Sequence, residues 1–172
     1  MVSPSAPYAD IIRAKEYYVK AAFLYNFARL TEWPEKIFSS TNEPIRICLM
    51  GNDLFGDALR TLRNKKVNNQ PIVIQRNVNE NNLSHCHILF ISQSEKNNIH
   101  KIINKLKHLS ILTVSELPGF AQQNGHIRLF LNNDKTLSLE VNLNAINQAD
   151  LKISSRILTL AKIVSSDEAL KP

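Results

Sequence analysis

Any chemistry in this chain would have to come from a few short stretches, and His85-Cys86-His87 is the first of them. It sets three metal-capable side chains in a row. At strand spacing Cys86 points opposite to its two neighbours, so the three cannot converge on one ion. No second Cys/His cluster follows at a ligand spacing, and His100, His108 and His126 stand apart. The second stretch, GNDLFG from Gly51 to Gly56, follows an apolar run and opens a helical pattern, which is where phosphates often bind. It lacks the middle glycine of a dinucleotide fingerprint. Asp57 and Ala58 stand where a P-loop needs Lys and Ser/Thr, and Asp53 and Asp57 would repel phosphate. Helix capping by Asn52 or Asp53 is the role that fits. Cys48 lies inside an apolar run, where a thiolate is disfavoured. With no GxSxG elbow, acid/base pair or kinase motif, the residues point to a protein that is not an enzyme and has no cofactor and no metal.

The elements that would carry these stretches begin with a long helix. Val19, Ala22, Phe23, Asn26, Phe27 and Leu30 recur at i, i+3, i+4, i+7, i+8 and i+11, with Tyr18, Ala21 and Tyr25 widening the band. This predicts a core-packed helix from about Asp10 to Glu32, stopped by Pro34, with the single tryptophan, Trp33, at its exit. Asn26 interrupts the apolar face and needs hydrogen-bond partners, from nearby backbone or from a ligand. Tyr17, Tyr18, Phe23, Tyr25 and Phe27 are more aromatics than one face needs, and aromatics are enriched at interface hot spots. Tyr17, Tyr18, Tyr25 and Trp33 are therefore candidate partner contacts.

Downstream, Ile45–Met50, Ile72–Ile74, His87–Ile91 and Ile111–Val114 read as strands. Phe55–Leu62 and Ile99–Leu106 read as helices between them. Ile127–Leu131 and Leu137–Val141 alternate across Asn132-Asn133-Asp134 as a β-hairpin. Ile153, Ile157, Leu160, Ala161 and Val164 share helical spacing and predict a final amphipathic helix packed on the sheet. Strand–helix alternation followed by a hairpin implies an α/β three-layer sandwich: a mostly parallel sheet, an antiparallel C-terminal hairpin, and helices on both faces. Residues 1–14 are expected to be disordered or weakly ordered, 15–164 to form one domain, and 165–172 to form a tail. An α/β crevice at the strand C-termini, after Met50 and Ile91, leaves open a small-ligand sensor as the alternative function.

The 172 residues carry 21 Lys+Arg against 15 Asp+Glu, a net charge of +6. The basic residues are scattered, and no aromatics interleave with the densest group, Arg63, Lys65 and Lys66. Nucleic acid is not an expected partner. No apolar run reaches the ~18–20 residues of a membrane-spanning helix. The opening MVSPSAPYAD has no apolar core and does not read as a signal peptide.

The segment KAAFLYNFARLTEWP, Lys20 to Pro34, resembles the opening signature of the YfiR family. CLMG (Cys48–Gly51), CHILFIS (Cys86–Ser92), LTVSE (Leu112–Glu116), Gly119–Phe130 and Val141–Val164 resemble that family's remaining blocks in the same order. The similarity covers residues 15–164. It implies a periplasmic protein, with the signal peptide already removed and Met1 added, that represses a membrane-bound diguanylate cyclase through its periplasmic sensor domain. Cyclic di-GMP and biofilm formation would fall. It further implies an outer-membrane, peptidoglycan-associated lipoprotein that draws the repressor away, and a homodimer. Cys48 and Cys86, the only cysteines, coincide with positions where YfiR-like proteins can carry a redox-responsive pair. A bridge and two buried free thiols both remain open. The second pair that some members carry nearer the C-terminus is absent here.

Overall fold

The computed structural model describes residues 5–167. It opens with α1 (Ser5–Leu30), which runs straight into β1 (Thr31–Glu32). Then follow β2 (Ile45–Met50), a 3-10 run (Gly56–Leu62), β3 (Lys66–Val67), β4 (Gln70–Gln75), β5 (Ile88–Ile91), α2 (Ile99–Leu106), β6 (Leu112–Ser115), β7 (Ile127–Leu131) and β8 (Leu137–Val141). The chain closes with α3 (Leu143–Gln148), β9 (Lys152–Ile153), α4 (Ser155–Leu158) and β10 (Ala161–Ile163). Eight strands form one sheet in the order β10-β8-β7-β6-β5-β2-β4-β3, and β1 pairs with β9 in a small antiparallel sheet. The central strands β4, β2, β5, β6 and β7 are parallel, β7 and β8 form the antiparallel hairpin, and β3 is antiparallel to β4.

Alternation along each strand sends side chains to two cores. Ile47, Leu49, Phe90, Val114, Leu129 and Leu139 face the side covered by α1, the 3-10 run, α3 and α4. Cys48, Met50, Leu89 and Ile91 face α2, whose Ile99, Ile102, Ile103 and Leu106 are all buried. The architecture is thus the expected α/β sandwich with a mostly parallel sheet.

Residues 5–14 belong to α1, and residues 1–4 lie outside the described residues. Two expectations are corrected. Gly56–Leu62 is a 3-10 run that buries Ala58, Leu59 and Leu62. The final helix does not form: Ile153 pairs with Thr31, only Ser155–Leu158 is helical, and Ala161–Ile163 runs parallel to β8. The free edge of β8 is the reason. A strand there satisfies a row of backbone groups that a helix would leave open. Beyond it, Asp167 N–H donates to the Gln122 carbonyl at 2.9 Å, and residues 168–172 lie outside the described residues.

Candidate functional site

Cys48 and Cys86 are joined in a disulfide, with Cα atoms 5.9 Å apart. Sheet order explains the pairing. β2 and β5 are neighbours, Cys48 sits opposite Leu89, and Cys86 lies just before β5 on the same face. The bridge is buried under α2 among Val78, Leu83 and Ile99, and it ties the middle of β2 to the loop that feeds β5. The next residue, His87, is held from several sides. Its Nδ1 accepts the Arg46 N–H at 2.9 Å, and its carbonyl accepts Trp33 Nε1–H at 3.2 Å. Its ring stacks on Phe38 at 4.8 Å. Burial, with Arg46 nearby, lowers its pKa to about 4, and Glu43 opposes the shift.

The long helix shows a different inner face from the one its apolar spacing suggests. Tyr17, Lys20, Ala21, Leu24, Phe27 and Ala28 are buried, while Val19 and Ala22 are exposed. Lys20 goes inward because carboxylates meet it there. Its ammonium lies 2.6 Å from Glu16 and 3.0 Å from Glu116, which follows β6. It also sits 4.6 Å over the Tyr17 ring, whose hydroxyl donates to Glu116 at 2.7 Å. Burial, and then the Glu116 carboxylate, push the Tyr17 phenol far above its ordinary range. Arg128 completes the surround: its Nε–H reaches the Glu116 carbonyl and its Nη1 lies 3.1 Å from Glu140. This cluster pins α1 across the end of β6.

The four candidate contact aromatics separate accordingly. Tyr17 is a core residue committed to Glu116 and Phe55, and offers no surface in this fold. Trp33 is half-buried against His87. Tyr18 is exposed. Tyr25 is half-exposed; its hydroxyl donates to the Lys66 carbonyl, and Arg29 and Lys65 lie within 5.7 and 5.1 Å of its ring. Asn26 is half-exposed on the same helix and accepts from Arg29. The spacing of apolar residues gave no sign of Lys20, because its carboxylate partner Glu116 is remote in sequence.

At the strand C-termini the loops close on each other. Ser92 N–H donates to the Met50 carbonyl, and Asn52 N–H to Ser94 Oγ at 2.9 Å. Gly51, at φ +88°, lies so close to the Ser92 and Ser94 hydroxyls that a Cβ would collide with them. Asp53 accepts the Phe55 and Gly56 N–H groups in the turn that leads into the 3-10 run, and also pairs with Arg76. Phe55 holds the N-cap position of that run, which has no side-chain cap, so the capping expected of Asn52 or Asp53 is not formed. Among the described residues, no three His, Cys, Asp or Glu side chains are grouped to hold a metal ion, and no helix is long and apolar enough to cross a membrane.

A family model described as YfiR/HmsC-like matches residues 17–162. The chain belongs to that family. The matched span runs from Tyr17 in α1 to Lys162 in β10, so it takes in the disulfide, the Lys20–Glu116 cluster and nearly the whole sheet. No curated protein matches the chain. YfiR/HmsC-like proteins are regulators of diguanylate cyclase signalling and not a family of enzymes.

Proposed function

We propose that this protein is a periplasmic repressor of a membrane-bound diguanylate cyclase, acting by binding the cyclase's periplasmic sensor domain. The family match over residues 17–162 carries this reading. The Cys48–Cys86 bridge supports it, because disulfides persist in oxidising compartments such as the periplasm. The repressor performs no chemistry on cyclic di-GMP. It biases the cyclase between two states by binding one of them more tightly. A peptidoglycan-associated outer-membrane lipoprotein competes for the repressor and releases the cyclase. Self-association into a homodimer belongs to the same proposal, with sedimentation velocity as its check.

The deciding experiment is deletion of the gene in a strain that makes the cyclase. Cyclic di-GMP and biofilm mass should both rise, and a plasmid copy should reverse the change. Unaltered cyclic di-GMP in that strain would overturn the proposal.

A further inference from the structure

One side of α1 is not covered by the fold. Tyr8, Ile12, Val19 and Phe23 form a line of side chains along it, and the tip of the β7–β8 hairpin stands opposite with Leu131 and Leu137. Between them lies an open groove of about 650 Å³ with mostly apolar walls. Tyr8 is 67% exposed and Val19 48%, unlike the large apolar residues of the two cores. From Tyr8 to Phe23 the helix rises about 22 Å, roughly four turns. The polar rim consists of Lys15 on α1 and Lys135 and Thr136 on the hairpin, with Glu16 already paired to Lys20. Among the described residues neither Lys15 nor Lys135 has a carboxylate within ion-pair distance. Tyr8, Ile12 and Lys15 lie before residue 17, where the family match begins.

We infer that the groove takes an amphipathic helix from a protein partner, apolar face inward, with acidic residues along the flank that meets Lys15 and Lys135. Contiguous exposed apolar surface rimmed by polar residues marks an interaction site, and a helix laid in a groove is a recurring way to fill one. Charge selects the occupant. A second copy of this chain in the same groove would bring lysines towards lysines, whereas an acidic flank satisfies both. Shape argues against a lipid surface, which would meet a convex face and not a trough between helix and hairpin. The inference rests on the regulatory reading above in taking this helix from the cyclase's sensor domain.

The test titrates the full chain with two synthetic helical peptides of about 16 residues, matched to the groove length. Both carry the same leucine face; one is flanked by Glu and the other by Lys. The Glu-flanked peptide should bind, shift the NMR signals of Val19, Phe23, Leu131 and Leu137, and bind roughly fivefold tighter than its Lys-flanked twin at low salt. Val19→Asp should abolish binding. Lys135→Glu, at an exposed hairpin tip, leaves one positive and one negative charge on the rim and should erase the preference without threatening the fold. Failure of both peptides to bind, equal binding of the two by the unaltered chain, or binding that survives Val19→Asp would overturn the inference. So would conversion of a dimer to a monomer by Val19→Asp, which assigns the groove to a second copy. Loss of sedimentation with phosphatidylglycerol vesicles in that variant would assign it to a membrane, again overturning it. The gene deletion separates the two readings: raised cyclic di-GMP with silent peptides removes the groove and keeps the repressor. Peptide binding with unchanged cyclic di-GMP does the reverse.

Discussion

At Lys20 an ammonium is buried between Glu16 and Glu116, with a phenol beneath it. Removing one partner of a buried pair leaves the other desolvated and uncompensated, at a cost of about 3–5 kcal/mol. Lys20→Met should therefore lower Tm by roughly 10 °C. Adding Glu116→Gln should recover part of the loss, because the two side chains are coupled. Thermal denaturation followed by circular dichroism reads both. The neighbouring core holds a second ionisable group, His126. Its Nδ1 accepts the Thr113 N–H at 3.1 Å, and its pKa is lowered to about 4 by burial, with the Ala145 carbonyl opposing. Its folded pKa lies below the ordinary 6.5, so between these values the unfolded chain binds more protons. Stability is full above about pH 6.5 and falls as pH drops towards 4. His126→Gln should be less stable at pH 7 and should lose less between pH 7 and pH 5, measured as Tm at each pH. Neither residue announced itself. A lysine among alanines and a lone histidine are ordinary in sequence. Glu16 is local to Lys20, but Glu116, which completes its pairing, comes from a remote segment that no local pattern reports.

Among the elements, the central strands β2, β4, β5 and β6 and the hairpin were legible because alternation or a short apolar run reflects burial directly, whereas the short strands β1 and β3 carry no such pattern. Ile127–Leu131 and Leu137–Val141 pair as their spacing indicates. The C-terminal stretch was misread because Ile153, Ile157, Leu160, Ala161 and Val164 satisfy helical spacing, while the decision depended on a vacant edge at β8. The face of α1 was misread for a related reason: counting apolar residues cannot credit a lysine that meets carboxylates. The disulfide acts at this scale too, since it joins a strand to the loop feeding its neighbour. Its 38-residue separation gives about 4 kcal/mol of stabilisation in the chain-entropy model. Reduction should lower Tm by roughly 10 °C. Cys48→Ser should start at the lower Tm and show no further change with reductant. Equal melting of reduced and oxidised protein would show that the fold does not rely on the bridge.

For the whole molecule, the family, the α/β class and the sheet could be read from ordered blocks and periodicity. The apolar groove could not, because a groove between a helix and a hairpin exists only once both are placed. The arrangement of the termini has a further consequence, for the order of events in folding. β1 follows the first helix directly, yet its partner β9 lies near the other end of the chain, with Thr31 opposite Ile153. The sheet edge likewise waits for β10, the last strand. A chain still emerging can pair β2 with β5, but it cannot close its outer strands until nearly all of it has arrived. Such non-local closure is slow, on the order of milliseconds to seconds. Stopped-flow refolding of the oxidised protein should show Trp33 fluorescence recovering in that range. A chain ending before Lys152 should fail to reach the same end point, since it carries neither strand that seals the fold.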